Sequence, residues 1–109
     1  EHLKRPDILL MKLKSYLKPE GYVIASIPNI ARLEVRLKLL LGKLEYQEGG
    51  ICDKTHLRFF HVKTGKELFE SAGYRVVQVD YTGLVSKHRL FRLLPTLFAY
   101  QFIIVAKAK

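Results

Sequence analysis

The segment KPEGYVIASIPN, residues 18–29, restricts the fold more than any other part of the sequence. It opens with residues that end a helix and continues as a short apolar run that a second proline closes. Before it, apolar residues at helical spacing and Pro6 at the first helical position predict a helix over residues 6–17. A helix, a tight turn and a buried strand make one αβ unit of a parallel sheet, so residues 22–27 should form a central strand buried on both faces.

The rest of the chain alternates helical and strand patterns. Residues 30–41 fit both periods, and their Leu, Lys and Arg content with the glycine that follows favours a helix. A later helix ends at Gly73 and begins either at a capping box of Thr64 with Glu67 or a few residues earlier, near Val62. The remaining predictions are a loop over residues 43–60, strands over residues 74–81 and 100–107, and a basic, apolar insert at residues 82–98.

Size and composition fit one globular domain, since 49% of the 109 residues are apolar and 27% are charged. The single cysteine, Cys52, cannot form an intrachain disulfide, which favours a cytoplasmic protein. No apolar run approaches the about 20 residues that a transmembrane segment requires. The formal charge of +9 favours acidic partners, unless another part of a larger protein offsets it.

The segment ICDKTHLRFF, residues 51–60, concentrates an acid, two cations, a hydroxyl, an imidazole, a thiol and two phenyl rings. Two interpretations stay open. In the structural one, Asp53 and Thr55 cap turns, Arg58 pairs with Asp53, and a phenyl ring enters the core. In the functional one, Asp53, His56 and Arg58 face a substrate cleft.

Five segments together resemble class I S-adenosylmethionine-dependent methyltransferases. The closest likeness is to the methyltransferase domain proteins often encoded beside glycosyltransferases. The order and separations match, and the segments cover nearly the whole chain: EHL at 1–3, LKPEGYVIASIPN at 17–29, DKTHLRFF at 53–60, ELFESAGY at 67–74 and FAYQFIIVAK at 98–107.

The resemblance implies an α/β fold, the C-terminal half of a Rossmann-like seven-stranded methyltransferase sheet. Residues 22–27 would be its fifth strand, 74–81 the sixth and 100–107 the seventh. The sixth and seventh would form an antiparallel hairpin, with the seventh between the other two.

Methyltransferases of this kind hold the cofactor with a Gly-rich turn and an acid that ends the second strand, because only glycine allows so close a backbone approach. Residues 1–109 contain neither element. We therefore expect residues 1–109 to be the C-terminal portion of a methyltransferase domain whose N-terminal cofactor-binding half is absent. The intact protein would use S-adenosylmethionine and methylate a small-molecule or glycan-type acceptor, whereas these residues alone would bind no cofactor and be inactive.

Glu1 and His2 match the EH pair that follows the fourth strand in the family, which implies a place beside the methyl donor. In that position His2 would be a candidate general base, and His56 a second active-site imidazole. The alternative is that the terminal pair is frayed. Small-RNA 2′-O-methyltransferases, a more distant likeness, bind a metal with a similar set, but their further acid is absent here, so no metal site is assigned.

Asn29 follows the predicted fifth strand, where its amide could contact substrate or form an Asx turn. With Asp53 and Arg58 it completes the predicted substrate-binding set.

Three other hypotheses remain. Rings and cations interleaved in THLRFFHVKTGK, residues 55–66, would suit a nucleic-acid-binding module without enzymatic activity. Residues 86–98 could contact a membrane surface or a protein partner. A half sheet would expose the edge and apolar face of the fifth strand, which predicts a homodimer or strand exchange.

Overall fold

The computed structural model describes residues 1–83 and 89–109, which form a three-stranded sheet with helices packed against it. The element bounds, in chain order, are α1 Pro6–Leu13, a 3-10 turn Lys14–Tyr16, β1 Tyr22–Pro28, α2 Leu33–Leu40, α3 Val62–Ser71, β2 Tyr74–Gly83, a 3-10 segment Arg89–Leu93, α4 Pro95–Phe98 and β3 Ala99–Ala108.

The strand order is β1-β3-β2, and β3 is antiparallel to both neighbours. Near one end of the sheet, Tyr22 of β1 lies opposite Lys107, and Tyr74 of β2 lies opposite Ala108. The predicted order, with the last strand between the other two and an antiparallel final hairpin, is confirmed.

The prediction that residues 22–27 form a strand buried on both faces is wrong. Along β1 exposed and covered residues alternate, and the Tyr22 and Ile24 side chains are 55% and 69% exposed. The physical reason is that, among the described residues, β1 pairs only with β3, and only its face with Val23, Ala25 and Ile27 packs against the main core. The apolar run belongs here to an edge strand with an open face.

The main core lies between the sheet and helices α1 and α3. Phe102, Ile104 and Tyr74 of the sheet are fully buried, and Phe69 of α3 and Leu10 of α1 pack against them. The hydroxyl of Tyr74 donates a hydrogen bond of 2.6 Å to the backbone carbonyl of Leu10. This bond joins the first helix to β2 inside the core.

Helix α3 begins at Val62, which confirms the earlier of the two predicted starts. Thr64 is then the third helical residue, and its hydroxyl accepts a hydrogen bond of 3.1 Å from the backbone N–H of His61. The predicted capping box of Thr64 with Glu67 is wrong, because Thr64 lies inside the first turn rather than before it.

Helix α2 confirms the helical interpretation of residues 30–41, although it is shorter than predicted. It contributes Val35 to a second small core with Ile51 and Cys52, which fastens the long loop to the domain. Residues 43–60 contain no helix or strand beyond isolated bridges, as predicted.

Part of the predicted contact surface at residues 86–98 lies outside the described residues, including His88. The described part contains exposed Leu90, Leu93 and Leu94. In the two described ranges, no helix has the length and apolar content needed to cross a bilayer.

We expect Gly65→Ala to destabilise the protein. A Cβ at Gly65 would lie 2.6 Å from a ring carbon of Phe102, whose ring is fully buried and cannot move aside. The overpacking cost of about 1–3 kcal/mol exceeds the roughly 1 kcal/mol that alanine gains in helix propensity. Urea unfolding should show a lower free energy of unfolding than in Lys66→Ala, an exposed control on the same helix. Equal stability of the two variants would show that the contact is not tight.

Candidate functional site

The N-terminal residues are fastened to the segment ICDKTHLRFF. The backbone carbonyl of Glu1 accepts hydrogen bonds from the amides of Leu57, at 2.7 Å, and Arg58, at 3.1 Å. The guanidinium of Arg58 donates from Nε to the carbonyl of Lys4 at 3.0 Å. The alternative that Glu1 and His2 are frayed is therefore wrong, and the loop holds them in place.

This joined structure lies at the carboxyl end of β1. Asn29, the residue after β1, forms a parallel bridge with Phe60, and the amide of Ile30 donates to the Phe60 carbonyl at 2.9 Å. Glu1 lines a groove of about 260 Å³ together with Ile27 and Phe60. The carboxyl ends of strands are where open α/β sheets bind their ligands, so the segment is placed at a ligand-binding edge.

Three side chains converge there. Oε1 of Glu1 lies 3.5 Å from Nε2 of His2 and 3.8 Å from Nε2 of His56. The two imidazole rings meet edge to face with their centroids 4.7 Å apart. The His56 side chain is only 7% exposed, whereas that of His2 is 56% exposed. The structure thus brings together the predicted pair Glu1 and His2 with His56, far along the chain.

Hydrogen bonds fix both imidazoles through Nδ1. Nδ1 of His56 lies 2.9 Å from the carbonyl of Ile51, which can only accept, so Nδ1 carries a proton. Nδ1 of His2 lies 3.1 Å from the hydroxyl of Thr55, whose own proton goes to Asp53 at 2.6 Å. That hydroxyl therefore accepts from His2, and Nε2 of each ring is free to act as a base or a ligand.

Asp53 does not contact the two imidazoles directly, but it binds Thr55, whose hydroxyl contacts His2. One of its oxygens accepts both the hydroxyl of Thr55 and the backbone N–H of Thr55, at 2.6 and 2.7 Å. These hydrogen bonds, above all that of the hydroxyl, lower the pKa of Asp53 below its ordinary value. Its predicted turn-capping role is confirmed, and its carboxylate also orients Thr55 toward His2.

Two predicted substrate-binding residues have structural roles instead. Asn29 is fully buried; its amide donates to the carbonyls of Thr96 and Ala99, at 2.8 and 3.0 Å, and its oxygen accepts from the amide of Ala31 at 3.1 Å. The Asx-turn interpretation is therefore the correct one, because no part of that amide is left for a substrate.

The second predicted substrate-binding residue with a structural role is Arg58. Its guanidinium binds the Lys4 carbonyl, so the predicted pairing with Asp53 is wrong.

One of the two phenyl rings of the segment is partly buried and the other is exposed. Phe60 packs against the main core, as the structural interpretation expected, while Phe59 is exposed and stacks on Tyr46 at 6.1 Å between centroids. Cys52 is a free, buried thiol in the second core.

The role of Thr55 in orienting His2 was not predicted from the sequence. The spacing Asp-x-Thr signals a local turn and so predicts the bond between Asp53 and Thr55. Nothing local signals a contact between Thr55 and a residue 53 positions earlier. Only the fold supplies it.

A larger cleft lies elsewhere. It measures about 470 Å³ and is lined by residues of both charge signs, among them Arg36, Lys63, Lys66, Glu67 and Glu70. It is open to solvent, and Lys63 is already paired with Glu67. The side-chain chemistry of the converging imidazoles outweighs cleft size in choosing the candidate site.

Comparison with known proteins identifies the family. The model of a family described as "Methyltransferase domain" matches residues 1–79, a range that contains all three converging side chains. The chain belongs to this methyltransferase family.

A solved structure shows the same fold. The crystal structure of a SAM-dependent methyltransferase from Archaeoglobus fulgidus superposes with a TM-score of 0.60 at 23% sequence identity, over 98% of this chain and 54% of that chain. The chain therefore spans about half the length of this methyltransferase. No curated protein sequence matches the chain at a significant level. The predicted fold, a class I methyltransferase sheet in part, is confirmed.

In this methyltransferase chain we expect Thr55→Val to raise the pKa of Asp53 toward its ordinary value. The hydroxyl bond is lost, whereas the backbone N–H bond remains. Because the pKa is lower in the folded chain, ionised Asp53 favours folding above its ordinary pKa, and this contribution is lost as the pH falls through the lowered folded value. Carboxyl NMR titration should show the change, while the control Thr64→Val leaves the titration of Asp53 in place. An unchanged titration in Thr55→Val would contradict the hydrogen-bond assignment.

Proposed function

We propose that residues 1–109 form the acceptor-side half of an S-adenosylmethionine-dependent methyltransferase. The observation that carries the proposal is the convergence of Glu1, His2 and His56 at the carboxyl end of β1, within a chain of the methyltransferase family. Ligands of open α/β sheets bind at that edge.

The cofactor would be held by a half of the domain that precedes these residues. Two observations support this: the chain spans 54% of the Archaeoglobus methyltransferase, and β1 presents an open face and an edge that pairs with no strand in the described ranges. A parallel strand from the preceding half would cover that edge. On this proposal the 109 residues alone bind no cofactor and transfer no methyl group.

Methyl transfer would follow in-line displacement. S-adenosylmethionine, held by the preceding half, would supply the methyl group on a positively charged sulfur, and the neutral thioether would be the leaving group when the acceptor oxygen or nitrogen takes the methyl. The acceptor proton passes to an imidazole Nε2, and His56 suits this role because Ile51 already binds its Nδ1 proton. Glu1, at 3.8 Å, would stabilise the imidazolium that forms. Positioning supplies most of the rate, as in other bimolecular transfers.

The proposed acceptor is a small molecule or glycan with a hydroxyl or amine. His2, more than half exposed, forms the solvent-facing side of the cluster, and Asp53 lies beside it through Thr55. Both are placed to accept hydrogen bonds or protons from such groups. The free Cys52 and the family favour a cytoplasmic location within this proposal.

The nucleic-acid alternative has less structural support. A stacking platform needs exposed rings, but Phe60 packs into the core and Phe59 is occupied by Tyr46. Nucleic-acid binding therefore stays a prediction. Binding of the chain to single-stranded nucleic acid that weakens steeply as salt is added would support it.

We also propose that, without a covering half, two copies pair through β1. The strand offers an unpaired edge among the described residues and an open face with Ile24 and Tyr22. Exposed apolar edges of this kind associate readily.

Calorimetry tests the division of the domain. Titration of S-adenosylmethionine into the 109 residues should give no binding heat, and a longer chain from the same reading frame, including the preceding half, should bind with micromolar affinity. Micromolar binding to the 109 residues, or none to the longer chain, would contradict the proposal. In the longer chain His56→Gln, first shown by circular dichroism and thermal unfolding to keep its fold, should slow methyl transfer by about 10²–10⁴-fold, as loss of a general base does, whereas His61→Gln should not.

Light scattering at high protein concentration tests the pairing. The 109-residue chain should have the mass of a dimer, and Ile24→Lys should make it monomeric because a charge on the open face opposes association. Leu40→Lys, at a leucine that is 81% exposed on α2, is the matched control and should leave the dimer intact. A monomeric wild-type chain, or dissociation by both variants, would count against an interface at β1.

A further inference from the structure

We propose that Glu1, His2 and His56 form a binding site for a divalent transition-metal ion. The proposal goes beyond methyl transfer and does not depend on it, because it rests on the arrangement of these three side chains alone. Each offers one ligand atom, and the three atoms lie within 4.8 Å of one another.

The distances approach those of a metal site. Ligands about 2.0–2.1 Å from a tetrahedral ion are separated from one another by about 3.4 Å. Oε1 of Glu1 lies 3.5 Å from Nε2 of His2 and 3.8 Å from Nε2 of His56, so two of the three separations are already close to this value. His2 is the most exposed of the three, and a small rotation that keeps its Nδ1 bond to Thr55 would complete the fit.

The tautomers of His2 and His56 leave both Nε2 atoms without a proton and able to bind a cation. Both Nδ1 atoms carry hydrogen, because the Ile51 carbonyl and the Thr55 hydroxyl accept from them. The two Nε2 atoms and the Glu1 carboxylate are then three acceptors that face one another, and no other described residue places a donor between them. Such a group is satisfied by a metal ion or by a proton on one ring. The experiment below separates these two occupants.

The hydrogen bonds behind the ligands are those that metal sites use. A ligating histidine usually donates its other ring N–H to a carbonyl or to a group linked to a carboxylate, which fixes the ring and raises its basicity. His56 donates to the carbonyl of Ile51, and His2 donates to Thr55, which in turn donates to Asp53. Both imidazoles therefore have an orienting partner.

The donor set indicates the class of metal. Two imidazole nitrogens and one carboxylate oxygen suit Zn²⁺, Mn²⁺ or Fe²⁺ better than Ca²⁺ or Mg²⁺, which prefer oxygen alone. His56 is nearly buried and Glu1 is 21% exposed, whereas the His2 side faces solvent. Three protein ligands with an open side leave a position for water or an acceptor oxygen.

The test uses untagged, metal-stripped protein and two probes. Calorimetric titration with Zn²⁺ should give one site per chain, and Co²⁺ should produce the visible absorption bands of a low-coordinate nitrogen and oxygen site. A second preparation carries Gly-Ser before Glu1, because a free amine next to His2 could itself bind metal. Equal Zn²⁺ affinity in both preparations is expected; binding that disappears with the Gly-Ser extension would overturn the proposal.

Variants locate the site. His2→Gln and Glu1→Gln, both at partly exposed side chains, should each weaken Zn²⁺ binding at least tenfold, while the matched control His61→Gln should not. Thr55→Val, which only removes the partner behind His2, should weaken it by about 10–100-fold. His56 is avoided because its burial makes misfolding an alternative explanation.

Two results would contradict the metal site. Zn²⁺ affinity that is the same in wild type, His2→Gln and Glu1→Gln would show that the ion binds elsewhere. No binding, together with an imidazole NMR spectrum in which one ring is protonated on both nitrogens, would show that a proton occupies the gap. Either result overturns the metal site and leaves the proposed methyl transfer untouched.

Discussion

Pairing of β3 with both of its neighbours is the constraint on which the rest of the structure depends. Its inward residues Phe102, Ile104 and Ala106 are fully buried, and it aligns β1 and β2 along their whole lengths. The start of β3 also fixes the end of β1, because the Asn29 amide donates to the carbonyls of Thr96 and Ala99. The loop that carries His56 meets the sheet at this same place, because its residue Phe60 forms a bridge with Asn29.

From that point the candidate site follows by short steps. Phe60 bridges Asn29 and anchors the loop in the core, so the loop segment before it runs beside the N-terminal residues. Two loop amides then bind the Glu1 carbonyl, which leaves the side chains of Glu1 and His2 over His56. The reactive side chains at the edge are therefore positioned mainly by backbone hydrogen bonds and one ring packed against the core.

Local patterns in the sequence predict most elements, because helix stops, glycine turns and apolar periodicity act within a few residues. The order of the strands follows from the family resemblance. The predictions that are wrong concern features that depend on residues far away in the sequence. Strand β1 has the composition of a strand buried on both faces, yet Ile24 is 69% exposed, because no strand or helix of the described chain covers it.

The site shows the same limit. Residues Glu1 and His56 are singled out by type and motif, but their approach is a product of the fold. Arg58 and Asp53 have opposite charge and suitable spacing, which favours an ion pair in isolation. In the structure Arg58 instead donates to the backbone carbonyl of Lys4, and Asp53 accepts from the hydroxyl of Thr55. The N-terminal segment and the turn bring these partners close to the two side chains.

The two proposals for this edge compete for the same atoms. An Nε2 that ligates a metal cannot accept a proton from the methyl acceptor, so His2 and His56 cannot act as ligands and as general bases at once. With a metal ion bound, Glu1, His2 and His56 would hold it, and the ion would ease loss of the acceptor proton by lowering the pKa of an oxygen bound to it. If it is absent, His56 and Glu1 remain as a base and its stabilising charge. On both proposals the three converging acceptors serve removal of the acceptor proton, and occupancy of the cluster by a metal ion decides the route.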